Sequence, residues 1–531
     1  MLEGEAKVIF KSNQADVDIP ESDLTTVVLG RVDELGDKVA LVEGLSQRSL
    51  SYNQLKQQID HLATGLSQRS FKKGDVLAIF CPNLPEYAVI FLGVAKAGGI
   101  NTTVNSIYSH DDLVHQFKDS ATKYLVTIPQ FLDRALPAAA ECDIEEVFVL
   151  GDCEGIEGVT PFAELLENDG NAPSIFINPG VDIVALPYSS GTTGLSKGVM
   201  LTHRNLVTNM VISCEANPID EDDCLIGVLP FFHIYGMVLI LNLAIYRGAT
   251  LVTMPRFDLE QYLQIIQDYK ATCLNVVPPL VLALAKQPMV DNYDISSVRL
   301  IASGAAPLGQ ELETACATRM NSAIYQGYGL TEVSGACHIT RLADGFDKTG
   351  AVGPTLPNTE SKLIDTETGE DLGVNQRGEV LVRGPHVMAG YLNNQAATDH
   401  SVDDEGWFHT GDIGYADEDG YFYIVDRVKE LIKYKAYQVA PAELEAVLLG
   451  HPSIADCAVI PSPDEEAGEV PKAFVVLKED MSPEEIMTYV AEKVSPYKKI
   501  RRLEIIDEIP KSAAGKILRR VLVEKERESL A

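Results

Sequence analysis

The chain of 531 residues is short of basic charge, of paired cysteines and of long apolar runs, and each shortage excludes something. Lys and Arg number 43 against 77 Asp and Glu, a net charge of −34, which argues against nucleic acid as a partner. The nine cysteines are scattered, with no Cys-x-x-Cys pair, so neither a disulfide framework nor a zinc site is expected. They read as isolated small core residues. No apolar run is long enough to cross a bilayer; the nearest approach, Phe231 to Tyr246, is broken by His233 and Asn242. Met1 to Phe10 has early acids and lacks a basic-then-apolar leader pattern, and the chain ends Glu528-Ser529-Leu530-Ala531, which is not a Ser-Lys-Leu address. A cytoplasmic protein without stable membrane insertion is expected.

What is present points to a large enzyme. At 46% hydrophobic, the chain can bury a sizeable core and should divide into at least two domains. Val76 to Phe80 reads as a buried strand, and Pro85-Glu86 opens a helix through Ala95 that Gly98-Gly99 ends. Further strands at Tyr124 to Thr127, Val147 to Leu150 and Val181 to Pro187 follow at intervals suited to βαβ units and a parallel sheet. Beyond Gly350, short alternating runs such as Glu379 to Arg383 and Tyr421 to Val425, separated by Asp-Gly and Thr-Gly turns, predict antiparallel strands. A lysine-rich segment then opens an α+β unit, so the domain boundary is put at Asp426, giving domains 1–425 and 426–531. The second carries a net charge of −3, leaving −31 to the first. Any nucleotide site must therefore supply its own local cations and backbone donors.

The loop after Val181 to Pro187 is the most informative stretch. Tyr188-Ser189-Ser190-Gly191-Thr192-Thr193-Gly194-Leu195-Ser196-Lys197-Gly198 combines serine and threonine hydroxyls, three glycines and a lysine. Glycines admit a polyanion close to the backbone, amides and hydroxyls donate to phosphate oxygens, and the lysine adds a point charge. The spacing is not that of a Walker A loop.

This string resembles the signature loop of the adenylate-forming superfamily, which includes acyl-CoA synthetases, 4-coumarate–CoA ligases, beetle luciferases and peptide-synthetase adenylation domains. Further segments match in the family's order: Ser303 to Gly309, Gln326-Gly327-Tyr328-Gly329-Leu330-Thr331-Glu332, Trp407 to Asp412, Val425-Asp426-Arg427, and Pro510 to Lys516. The resemblance spans roughly residues 30 to 525. It implies a large N-terminal domain of α/β layers with a small β-barrel-like portion, capped by a small α+β lid. It implies ATP, Mg²⁺ and coenzyme A as the small molecules used alongside a carboxylic acid, and a monomer or homodimer.

The resemblance also assigns roles. Ser189, Ser190, Gly191, Thr192, Thr193 and Lys197 would hold phosphates. Gly304, Ala305, Gln326, Gly327, Tyr328 and Gly329 would line the adenine, with Thr331 at the α-phosphate and Glu332 on Mg²⁺. Asp412 and Arg427 would bind ribose, Asp426 would be the hinge, and Lys516 would bridge the carboxylate and the α-phosphate. Lys433, Lys435, Ala436 and Gln438 would form the thioester loop; the family normally has glycine at Ala436, near the path of the pantetheine arm. His233 would gate the carboxylate and, with Tyr235, Leu239, Ala302, Gly304, Gly335 and Ala336, line the acyl pocket.

Phe231 to Met237 offers no acid to pair a substrate ammonium, so an α-amino acid is not expected. The overall likeness is to 4-coumarate–CoA ligase-like acid–CoA ligases. Ala302 and Leu239 replace the lysine and serine that plant coumarate ligases often carry, which predicts a roomier and more apolar pocket. A medium- or long-chain fatty acyl-CoA synthetase and a luciferase-like oxygenase stay open as alternatives.

Overall fold

A computed structural model describes residues 8–189, 196–341, 348–427, 430–435, 437–464, 467–512 and 515–530. It is a mixed α/β molecule with a large N-terminal and a smaller C-terminal domain. In the first sheet Val76–Phe80, every residue buried, pairs in parallel with Ile100–Thr103 and Thr122–Thr127. Helices such as Pro85–Lys96, begun by its proline, form the connections. Ile183–Ser189 joins the same sheet in parallel, and Lys197–Thr202 folds back against it.

A second sheet places Cys224–Gly227, Cys273–Val276, Leu300–Ser303 and Ala323–Leu330 side by side, all parallel. Gly335–Ile339 closes it as an antiparallel hairpin. One apolar core fills the space between the layers. These strands bear near-continuous apolar runs because both faces are covered.

The third sheet is antiparallel, in the order Phe10–Lys11, Glu360–Ile364, Gly378–Arg383, Phe408–Ala416 and Phe422–Arg427. It curls enough that Phe10 and Phe422, on its two edge strands, bring their rings to 5.2 Å. The smaller domain has its own sheet of Ile432–Tyr434, Tyr437–Val439, Ile454–Asp464, Gly468–Leu477 and Arg502–Ile505, and its own apolar core. Among the described residues no helix is long and apolar enough to cross a membrane.

Candidate active site

The hydroxyl-rich loop is anchored at both stems, where Ser189 pairs with Lys197 across the hairpin. Ser190, Gly191, Thr192 and Thr193 lie outside the described residues. The Lys197 ammonium stands 4.6 Å from the centre of the Tyr391 ring, a cation–π contact. Tyr391 in turn donates its hydroxyl to Glu332 Oε1 at 3.0 Å. Tyr391 is held there because Gly390–Tyr391 pairs with Val199 and Met200. Lys197 and Glu332, 135 residues apart in sequence, thus meet on one aromatic ring.

Across the second sheet, the Tyr328 hydroxyl donates to Asp412 Oδ2 at 2.7 Å, and Arg427 Nε lies 3.2 Å from Asp412 Oδ1. Asp412 and Arg427 are cross-strand partners in the third sheet. Burial raises the Asp412 carboxyl above its ordinary range, and Arg427 opposes that rise. Gly304, Ala305, Gly327, Tyr328 and Gly329 border the cavity described below, and Thr331 opens the short turn Thr331–Val333. Gln326 stands behind this wall: its amide donates to Glu313 and to the Leu308 carbonyl, and its carbonyl accepts from Leu308 N–H. It shapes the wall with both of its amide hydrogens engaged.

Lys516 reaches this cluster from the other domain. Gly515 adopts φ +76°, and a Cβ there would lie 3.2 Å from Val277 Cγ2, at the end of a strand of the large domain. Desolvation, and then the neighbouring Arg427, push the Lys516 ammonium down to about 8, while Glu430 and Asp412 oppose the shift. The same ammonium acts on His233, which its buried surroundings push down to about 4 and so keep neutral near pH 7. Lys516, the Asp412–Arg427 pair and His233 therefore share one electrostatic neighbourhood.

The carboxylate of Asp426 accepts from the backbone N–H groups of Arg427 and Ala442, the latter in the first turn of helix Pro441–Leu449. It ties the end of the third sheet to the small domain. Burial pushes it up to about 6. Lys433 and Lys435 are exposed, and neither lines the cavity. Lys433 and Gln438 face each other across a hairpin; Ala436 lies outside the described residues.

A cavity of about 60 Å³ runs beside the nucleotide wall, lined by His233, Tyr235, Leu239, Ala302, Gly304, Gly335 and Ala336 among others. His233 and Tyr235 sit where the chain enters a π-helix, Tyr235–Asn242, a wide turn frequent at functional sites. Gly236 is required there, since a Cβ would lie 2.1 Å from the Pro230 carbonyl oxygen. Asn217, Asn275 and Tyr325 also line the cavity and make the lining partly polar; Asn217 and Asn275 lie far from the recognised motifs and carry no local signal, while Tyr325 directly precedes the Gln326 segment.

Two further asparagines escaped the sequence reading, and both hold backbone. Asn209 donates to the carbonyls of Val333 and Ala336 and accepts from Ala336 N–H, clamping the turn after Glu332. Asn83 does the same for Gly227, Leu229 and Phe231, ahead of His233.

The family model described as AMP-binding enzyme matches residues 30–392, and that described as AMP-binding enzyme C-terminal domain matches residues 443–516. The chain is 43% identical to 4-coumarate–CoA ligase 1 of Petroselinum crispum, over 97% of this chain and 96% of that protein. It is 43% identical to 4-coumarate–CoA ligase of Pinus taeda, over 98% and 99%. The crystal structure of the anthranilate CoA ligase AuaEII in complex with anthranoyl-AMP matches with a TM-score of 0.89 at 25% identity, covering 97% of this chain and 99% of that one. With both family models matched in order across two domains that meet at Lys516, the chain belongs to the AMP-binding enzyme family.

Proposed function

We propose that the protein is an ATP-dependent aryl acid–CoA ligase, an acid–thiol ligase that works through an acyl-adenylate. The observation that carries this reading is the placement of the half-buried Lys516, next to a Gly515 that packs on Val277, with its ammonium sharing the electrostatic surroundings of Asp412, Arg427 and His233. A carboxylate oxygen attacks the α-phosphorus of ATP and pyrophosphate leaves. The thiol of coenzyme A then attacks the acyl carbon, forming the thioester and releasing AMP.

The first step brings anions together, so positioning and fixed positive charge dominate its barrier. Lys516 supplies that charge where carboxylate and α-phosphate meet, and Lys197 with the hydroxyls of Ser189, Ser190, Thr192 and Thr193 restrains the other phosphates. Tyr328 stacks on the adenine, Asp412 and Arg427 bind the ribose, and Thr331 contacts the α-phosphate. His233, neutral at pH 7, borders the carboxylate without adding charge.

Among the described residues no group of three or more His, Cys, Asp or Glu could hold a metal ion. Glu332, buried and with one oxygen bonded to Tyr391, fits Mg²⁺ bound through a single carboxylate plus substrate phosphates. Mg²⁺ there would neutralise phosphate charge.

For the second step the domain 426–531 turns about Asp426 relative to 1–425, so that Lys433 and Gln438 replace Lys516 at the site. The present exposure of Lys433 and its separation from the cavity support this division of labour. The reading is tested by pyrophosphate release over cinnamic, benzoic and C4–C16 fatty acids, with and without coenzyme A. CoA-stimulated release with an aryl acid and a matching thioester is expected. Release that ignores CoA, or that occurs only with fatty acids, would contradict it.

A further inference from the structure

The residues on either side of Lys516 are fastened to one strand of the small domain, Ile454–Asp464. Ile509 and Leu522, outermost, share a small apolar cluster with Ala458 and Ile460 of that strand. Closer to Lys516 the contacts turn polar. The Lys511 ammonium donates to Asp456 Oδ2 at 2.5 Å, and Lys511 forms a bridge with Ile517. Ser512 N–H donates to the Lys516 carbonyl, and Lys516 N–H donates to Ser512 Oγ. Leu518 N–H closes on the Pro510 carbonyl.

Arg519 follows as the first residue of helix Arg519–Leu530. Each of its three guanidinium nitrogens reaches a different segment. Nε donates to the Val459 carbonyl at 3.3 Å, Nη1 to Glu430 Oε2 at 2.8 Å, and Nη2 to the two Glu445 oxygens at 2.8 and 2.6 Å. Glu445 Oε1 also accepts from Val459 N–H at 2.7 Å. Glu430 lies shortly after Asp426 in sequence, and Glu445 stands on helix Pro441–Leu449, whose first turn binds the Asp426 carboxylate. One planar side chain thus joins the base of the Lys516 loop to the segment and the helix that hold Asp426.

Stability alone does not call for charge here. An apolar pair of similar volume often serves a fold as well as a buried ion pair does, and Ile509 and Leu522 already supply apolar anchorage. Apolar contacts carry no direction. A guanidinium held in a fixed fork does, and it sets the orientation of its own backbone. Arg519 and Glu430 both act on the Lys516 ammonium, so the fork and the lysine are close in space.

We propose that Arg519 is a positioning residue for adenylation, which fixes the angle between the Lys516 loop and the Asp426 hinge so that the ammonium is delivered to one place. This rests on the role given to Lys516 above.

The test uses the double variant Arg519→Met with Glu445→Gln, which removes both buried charges together and leaves Val459 N–H an acceptor. Its thermal unfolding should stay near that of the wild type. With cinnamate, benzoate and octanoate as acids, kcat for pyrophosphate release should fall about tenfold or more, and KM for ATP should move less than about threefold. A misplaced lysine weakens the transition state and leaves ground-state binding alone. Acyl transfer to coenzyme A from the supplied adenylates of the same acids should stay within about twofold of the wild-type rate, since that step does not use Lys516. Arg519→Lys, which keeps the charge but loses the fork, should show the same split between the two steps on a smaller scale. Release at the wild-type rate in the folded double variant, or an equal loss in both steps, would overturn the proposal. If the double variant does not fold, Arg519→Lys decides by the same two readouts. Lys516→Ala releasing pyrophosphate at the wild-type rate would instead overturn the reading beneath it.

Discussion

Resting the C-terminal loop on Val277 takes the Lys516 ammonium out of bulk water, and its proton affinity drops from the ordinary 10.5 to about 8. A lysine with a lowered value is charged below it and neutral above. Between about 8 and 10.5 an opened, hydrated Lys516 keeps its proton and the desolvated one does not, so rising pH favours closure while removing the charge assigned to adenylation in the proposed function. The kcat/KM for pyrophosphate release should therefore fall above pH about 8 in the wild type. In Lys516→Arg, whose guanidinium stays protonated past about 12, that limb should disappear, whatever the new plateau. A wild-type profile flat to pH 10 would contradict this.

At the scale of elements, the parallel strands and the helix that Pro85 opens were legible because burial and chain stiffness act locally. Val76–Phe80 is a run of five buried residues, and its pattern is visible without any partner. The motif residues could also be found from sequence, since a phosphate loop needs glycine, hydroxyl and lysine side by side. The π-helix Tyr235–Asn242 was not legible: its wide turn depends on how Pro230, Gly236 and the neighbouring layer pack. The floor of the acyl cavity was hidden for a similar reason. Asn275, Ala302 and Tyr325 are neighbours only through strand register, and their separations in sequence exceed any local pattern. Ala302 and Leu239 could be read from the sequence, whereas their polar neighbours Asn275 and Tyr325 could not.

The π-helix makes a direct prediction. In Gly236→Ala the new methyl would press on the Pro230 carbonyl at 2.1 Å, costing about 1–3 kcal/mol of stability through forced backbone movement. The same movement displaces His233 and Tyr235, for which a loss of about 10²-fold in kcat/KM is the reasonable scale. Thermal unfolding and pyrophosphate release check the two parts, and unchanged kcat/KM would show that this turn does not position the site.

For the molecule as a whole, charge and shape act together. The large domain holds nearly all of the net negative charge, so the cations at the site work against an unfavourable background and must be brought in close. Lys197 and Arg427 come from strands of the first and third sheets, and Lys516 arrives only with the C-terminal loop of the small domain. Gly309 and Ala446 mark the same interface: a Cβ on Gly309 would lie 3.5 Å from that of Ala446, within the span of about 3.5–4.5 Å that a disulfide needs. The double variant Gly309→Cys with Ala446→Cys, oxidised after ATP and acid have been added, should still release one equivalent of pyrophosphate. It should form thioester at least about tenfold more slowly than when reduced. Thioester formation indifferent to oxidation would argue against lid rotation between the two steps.

The most direct test of the account separates those two steps at one atom. In Lys516→Ala, pyrophosphate release from ATP and acid should fall by at least about 10²–10³-fold, the scale for losing one fixed charge at developing oxyanions. Transfer of the acyl group to coenzyme A from a supplied acyl-adenylate should stay close to the wild-type rate. Pyrophosphate release at the wild-type rate, or an equal loss in both steps, would contradict it.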